Sequence, residues 1–194
     1  MLTGNADGIV SHDYLAGTAG AADFFYGGAG NDTLEGFGGG DHLDGGSGND
    51  VLRTAGSPGG MMNTLLGGSG GDTLHGGEAD DMLDGGAGDD VLTGGAGADR
   101  FDFGIQSDGF EFRSFGADTI IDFSEGDMLE VNGWGLGSMD ASFSLQGSDT
   151  LILIEQGTSH EATILLSNYH LSADGWNLSG EYLTVLGAGT SEML

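Results

Sequence analysis

One nine-residue phrase recurs through the first half of the chain: Gly27-Gly-Ala-Gly-Asn-Asp-Thr-Leu-Glu35, Gly45-Gly-Ser-Gly-Asn-Asp-Val-Leu-Arg53 and Gly85-Gly-Ala-Gly-Asp-Asp-Val-Leu-Thr93. So short a fixed period admits few folds, because a phrase with one apolar residue cannot bury it alone and must stack on its neighbours. The rest of the sequence reads as a cap on this array or an attachment to it.

The register is strict from Gly27. Asp32, Asp41 and Asp50 take the sixth position, and Leu34, Leu43 and Leu52 the eighth. Residues 54–66 then break the phrase; their thirteen positions fit a four-residue insertion at 54–57 and a disguised repeat at 58–66, with Asn63 in the sixth position and Leu65 in the eighth. The phrase resumes at Gly67 and runs to Asp102, with Asp72, Asp81, Asp90 and Asp99 in the sixth position and Leu74, Leu83, Leu92 and Phe101 in the eighth. Ahead of Gly27, residues 8–16 and 17–26 are degenerate copies carrying Asp13 with Leu15 and Asp23 with Phe25, the second one residue too long. Terminal repeats face solvent on one side and are expected to be atypical. At Ala79 the fourth-position glycine is lost, and strain is expected in that loop.

Composition narrows the chemistry. Forty-two glycines, a single proline and no cysteine leave the chain without rigid turns or disulfide staples, so something other than a large core must supply stability. The 31 acidic and 3 basic residues give a net charge of -28, with no lysine at all. Such a field repels nucleic acid and anionic membranes and attracts cations. A disordered acidic tail is the bland alternative, but 38% hydrophobic residues in a regular period argue against it. The longest aliphatic run, Leu151-Ile-Leu-Ile154, is far short of a membrane span, and no basic stretch followed by an apolar one marks a signal peptide near Met1. The expectation is either a piece of a longer protein or export by a route that does not read the N-terminus.

The spacing itself points to the cation. Six loop residues and three strand residues per phrase make an eighteen-residue turn of two phrases, so sixth-position aspartates on the same edge stack. Parallel neighbours about 4.8 Å apart would place two carboxylates in mutual repulsion of about 1 kcal/mol in water, and several-fold more in a less polar surrounding. Glycines in the first, second and fourth positions are expected to permit positive φ and tight curvature that presents carbonyl oxygens. Carboxylates and carbonyls are hard ligands; calcium accepts six to eight of them in flexible geometry, whereas magnesium demands a rigid octahedron. One edge should pair Asp13 with Asp32, Asp32 with Asp50, Asp50 with Asp72 and Asp72 with Asp90. The other should run Asp23, Asp41, Asn63, Asp81, Asp99. Sites touching Asn63 lose a charge and are expected to be weakest or empty, so Asn63→Ala should change calcium demand little. Aspartates that merely cap turns are the plain alternative, which recurrence at one position makes improbable.

The phrase resembles the hemolysin-type calcium-binding nonapeptide of the RTX (repeats-in-toxin) family. The resemblance implies an all-β fold, a right-handed parallel β-roll over residues 1–103, with a β-rich C-terminal cap or secretion region over 104–194. It implies several calcium ions as cofactor. Their ligands would come from Asp13, Asp23, Gly28, Gly30, Asp32, Gly39, Asp41, Gly46, Gly48, Asp50, Gly68, Gly70, Asp72, Gly77, Asp81, Gly86, Gly88, Asp90, Gly95, Gly97 and Asp99. Asn63, Asp118, Asp122 and Asp127 are weaker metal candidates. The segment Asp118-Thr-Ile-Ile-Asp-Phe-Ser-Glu-Gly-Asp127 resembles the one that commonly follows the repeats in RTX proteins exported by type I secretion. A secreted, non-catalytic module that folds on calcium and serves an upstream domain of the same protein is therefore expected.

Beyond Gly104, strands are expected at 119–123, 128–131, 142–145, 150–154, 162–166 and 182–185. Gly67-Gly-Ser-Gly-Gly71 matches a nucleophile-elbow pattern but lies inside a repeat loop, and no His-Glu-x-x-His is present. The histidines His12, His42, His75, His160 and His170 lack zinc spacing. Trp134 and Trp176 read as buried aromatics of the cap. The rival reading is a carbohydrate-binding auxiliary module, similar to the regulatory modules of alginate-modifying epimerases. Its polyuronate would be a partner held through calcium or through Arg53, Arg100 and Arg113.

Overall fold

In most phrases the apolar eighth residue is flanked by polar or β-branched neighbours, with Leu66 and Met82 among the exceptions, so three residues form a strand with one side chain inward, and the glycine-rich loop turns the chain to the opposite sheet. The computed structural model describes residues 2–3, 12–56, 60–104, 116–132, 140–156, 160–169, 176–179 and 182–186. No helix occurs among them, and hence none long and apolar enough to cross a membrane.

Two nine-stranded sheets face each other. The first contains, in spatial order, β1 (Leu2–Thr3), β3 (Phe24–Ala29), β5 (His42–Ser47), β7 (Thr64–Ser69), β9 (Met82–Ala87), β11 (Arg100–Gly104), β13 (Met128–Asn132), β18 (Tyr182–Leu186) and β17 (Trp176–Ser179). The second runs β14 (Asp140–Gln146), β15 (Asp149–Gln156), β16 (His160–Leu166), β12 (Ala117–Ile120), β10 (Val91–Gly95), β8 (Thr73–Gly77), β6 (Val51–Arg53), β4 (Thr33–Glu35) and β2 (Tyr14–Ala16). Successive strands alternate between sheets up to β13, and each from β1 to β11 pairs in parallel with the strand two further on. This is the parallel β-roll that the repeat implied.

The core is a double file of eighth-position side chains. Leu34, Leu52, Leu74, Leu92 and Ile120 align in one sheet, and Phe25, Leu43, Leu65, Leu83, Phe101 and Leu129 in the other, all buried. Leu65 pairs with Leu43 below and Leu83 above and has no exposed surface, so residues 60–66 continue the stack and the extra residues lie in the loop between β6 and β7. Residues 57–59 of the expected insertion lie outside the described residues.

Two features differ from the three-residue strand expectation. In the first sheet the strands extend into the following glycines, with Gly28, Gly46, Gly68 and Gly86 still in register, because glycine backbone pairs as well as any other. Parallel stacking also continues past Gly104: β12 joins β10 and β13 joins β11, before antiparallel hairpins β14–β15–β16 and β17–β18 complete the sheets. Strand β17 was not expected from the sequence. The expected strand 119–123 ends instead at Ile120, since Asp122 accepts the amides of Gly94 and Gly95 and Phe123 turns in against Phe101 and Tyr169.

Candidate metal centre

Each sixth-position residue sits at the end of a glycine loop, just before a strand, and its carboxylate is pulled inward by the turn. Along one edge, Asp13 N–H donates to Asp32 Oδ1 (2.7 Å), Asp32 to Asp50 (2.7 Å), Asp50 to Asp72 (2.7 Å), Asp72 to Asp90 (2.7 Å) and Asp90 to Asp118 (2.9 Å). Along the other, Asp23 donates to Asp41 (2.9 Å), Asp41 to Asn63 Oδ1 (2.8 Å), Asn63 to Asp81 (2.8 Å), Asp81 to Asp99 (2.9 Å) and Asp99 to Asp127 (2.9 Å). Both ladders follow the pairings read from the spacing and add Asp118 and Asp127 as full members.

The second carboxylate oxygen carries the functional information. Oδ2 of Asp32, Asp50, Asp72, Asp81, Asp90 and Asp118 is buried with no hydrogen-bond partner. Buried polar atoms are nearly always partnered, so a row of orphaned oxygens needs a counter-charge. Five of the six lie on the first edge. On the second edge, Asp23 Oδ2 accepts the Thr18 amide, Asp41 Oδ2 that of Gly38, and Asp127 Oδ2 that of Ser124.

What each orphan faces is defined by the first-position glycine. A β-carbon on Gly45 would fall 2.5 Å from Asp50 Oδ2 and 2.7 Å from the Gly67 carbonyl oxygen; on Gly27 it would fall 2.6 Å from Asp32 Oδ2 and 2.5 Å from the Gly45 carbonyl. These glycines lack positive φ, so they are required for space. A carboxylate oxygen of one turn and a carbonyl oxygen of the next thus converge with no donor between them, a donor set that suits a hard cation. Among the described residues no three acidic or imidazole side chains converge, so backbone oxygens and water must complete any ion's shell.

The second- and fourth-position glycines named as ligands share a backbone conformation. Gly28, Gly30, Gly46, Gly48, Gly68, Gly70, Gly86, Gly88, Gly95 and Gly97 have positive φ, as do Gly39 and Gly77. The carbonyl of Gly28 faces the α-carbon of Gly46, and that of Gly30 the α-carbon of Gly48, so a side chain there meets both conformational and steric opposition. The carbonyls beside the orphaned carboxylates belong to first-position residues such as Gly45, Gly67 and Gly94, whose carbonyls the sequence reading counts among those the loop presents but leaves out of the ligand candidates. Glycine at every first position was the available signal, but a sequence cannot tell glycine kept for space from glycine kept for φ. Ala79 corrects a further expectation. It is not among the residues with positive φ, where the only described non-glycines are Phe37 (65°) and Asn168 (57°), so the strained loop is the one at Phe37.

Burial pushes the carboxyl of Asp50 up to about 6, Asp72 to about 7, Asp81 and Asp90 to about 6, Asp99 to about 7 and Asp118 to about 9. Neighbouring carboxylates add to it, Asp90 and Asp50 acting on Asp72, and Asp127 and Asp81 on Asp99. A second, outer ladder uses fifth-position side chains: His12 Nδ1 accepts the Asn31 amide (2.7 Å), Asn31 Oδ1 that of Asn49 (2.9 Å) and Asn49 Oδ1 that of Gly71 (2.9 Å). The side chains of His160 and Trp176, and all of Trp134, His170 and Arg113, lie outside the described residues.

Residues 17–52, 59–92, 66–101 and 75–109 match the family model of the RTX calcium-binding nonapeptide repeat, in four copies. The array belongs to the RTX repeat family. The orphaned oxygens of the RTX array fall in the loops that carry the repeat's aspartates, and calcium is the cation its family name specifies. No curated protein matches the chain.

Proposed function

We propose that this chain is a non-catalytic module that binds several calcium ions, folds on binding them after export, and supports or carries a secreted protein attached to it. The observation that carries this reading is the file of buried, unpartnered Oδ2 atoms from Asp32 to Asp118, each with a reason to bind a cation and a cost if left bare. Asp13, Asp23, Asp41, Asp99 and Asp127 extend the ligand set, with first-position carbonyls added. Asp41, Asp127 and Asp122 are the weaker members, since both carboxylate oxygens of each already accept backbone amides. The calcium-rich extracellular space supplies the trigger, and the net charge of -28 opposes compaction until ions arrive.

The polyuronate alternative is less well supported. Arg100, one of the three arginines it would use, is held by Asp102 at 2.8 Å and Glu130 at 2.9 Å.

A chelator and calcium titration followed by far-ultraviolet circular dichroism tests the proposal. Calcium, and not magnesium at equal concentration, is expected to drive a cooperative gain of β structure. A β spectrum unchanged in excess chelator would overturn it.

A further inference from the structure

Thr54 and Asn63 depart from the phrase at the two positions that elsewhere shape the cation cradle, and they do so in the same turn. Thr54 follows β6, where the first glycine belongs; Asn63 precedes β7 in the sixth position. Both are buried, at 8% and 0% exposure. At Gly27 and Gly45 a β-carbon would run into a carboxylate oxygen and the carbonyl of the turn above. At Thr54 that β-carbon is present, and its hydroxyl donates to the carbonyl of Gly76, the counterpart of Gly45 above Gly27 and of Gly67 above Gly45.

The orientation of Asn63 follows from the ladder. Its Oδ1 accepts the Asp41 amide at 2.8 Å, the role Oδ1 plays in the sixth-position aspartates, so Nδ2 must lie where those aspartates hold Oδ2. From there Nδ2 donates to Asp81 Oδ1 at 2.9 Å and reaches the Gly76 carbonyl at 3.4 Å. One first-position carbonyl therefore receives two protein donors, whereas its counterparts face a carboxylate oxygen with nothing between. The neutral amide also separates the charges of Asp41 and Asp81.

We infer that Thr54, Asn63 and the Gly76 carbonyl form a metal-free staple, which joins two turns by hydrogen bonds in the place of a calcium ion, takes no ion itself, and holds the middle of the array before calcium arrives. What it replaces rests on the calcium reading above; its hydrogen bonds do not.

The test uses the full chain, calcium alone and two readouts. Thr54→Gly/Asn63→Asp restores the residues that Gly76 and Asp81 show to be compatible with the fold. Titration calorimetry should find one more calcium per chain in this variant than in the parent. Hydrogen exchange in excess chelator should find the amides of Thr64 and Met82 protected in the parent, and exchanging about tenfold faster in Asn63→Asp, as expected for loss of a buried hydrogen bond. Equal stoichiometry in parent and double variant, or no protection at these amides in the chelated parent, overturns the staple. Failure of the parent to take up any calcium overturns the calcium reading, and the chelated exchange experiment still decides the staple.

Discussion

The amide of Asp50 donates to Oδ1 of Asp72 at 2.7 Å, across a sequence separation of 22 where the uninterrupted repeat gives 18. The interruption after Arg53 thus leaves the ladder of its edge intact, and Asp50 stands between two turns on the edge with the most orphaned oxygens. Asp50→Ala should raise the calcium midpoint of folding strongly and destabilise even the loaded protein by about 1–3 kcal/mol, because the Asp32 amide loses its acceptor. Asp50→Asn separates the two effects. It keeps Oδ1 for Asp32 and should raise the calcium midpoint while leaving the chelated protein more structured than the parent. Circular dichroism against free calcium for the pair checks this; identical behaviour of the two variants would contradict it.

Asn63→Ala is expected from the sequence to change calcium demand little. Stability is a separate quantity, because Asn63 accepts the Asp41 amide and donates to Asp81, in full burial. Its removal should cost about 1–3 kcal/mol at any calcium concentration, read from urea unfolding at saturating calcium.

The raised carboxyl pKa values give a pH dependence of opposite sign with and without metal. In the folded, metal-free chain, Asp50, Asp81 and Asp90 titrate near 6 and Asp72 and Asp99 near 7, against 3.8 for the unfolded groups, chiefly through burial. The folded state then holds more protons. Its stability from these groups is complete below about pH 3.8 and is lost as pH rises through 6 to 7. Chelated protein should gain β structure on acidification from pH 7.5 to 5. With calcium present, protons compete for the same oxygens, so the calcium midpoint should rise over that interval. A calcium midpoint that stays level across it would contradict this competition.

Phe37 occupies the second position of its repeat at φ 65°, a conformation that elsewhere in the array falls to glycine, with its ring 43% exposed. Phe37→Gly should therefore stabilise the calcium-loaded protein by about 1 kcal/mol, since relief of left-handed strain outweighs the entropy glycine adds to the unfolded chain. Thermal unfolding at saturating calcium measures it, and a lower midpoint would show that the ring makes a compensating contact.

Much of this was legible because the period of nine fixes two things at once. The eighth residue points inward on every strand, so Leu34, Leu65 and Phe101 could be placed in the core, and the parity of two phrases per turn paired Asp50 with Asp72. The rest depended on three-dimensional neighbours that the phrase does not encode. Asp118 and Asp127 join the ladders because β12 and β13 continue the stack, although their sequence spacing from Asp90 and Asp99 is 28. Ala79 stands without positive φ where the other repeats keep a positive-φ glycine such as Gly88 or Gly97, which a one-letter departure cannot reveal. The division of labour among glycines, some for φ and some for space, is likewise invisible until the next turn is in place.

That division yields the last prediction. Gly45 has no positive φ, and an added methyl group would sit 2.5 Å from Asp50 Oδ2 and 2.7 Å from the Gly67 carbonyl. Gly46 has φ 98° and packs its α-carbon on the Gly28 carbonyl. Gly45→Ala should therefore act on the cation: it occupies the space between the two oxygens and should raise the calcium midpoint by about tenfold, equivalent to about 1.4 kcal/mol per ion lost from favourable coordination. Gly46→Ala strains the backbone whatever fills the site, so it should lower stability at saturating calcium by about 1 kcal/mol or more. Calcium titration and urea unfolding of both variants separate the roles. If Gly45→Ala lowers urea stability at saturating calcium but leaves the calcium midpoint in place, the first-position glycines serve packing alone, and the convergence of Asp50 Oδ2 with the Gly67 carbonyl is not where the ion binds.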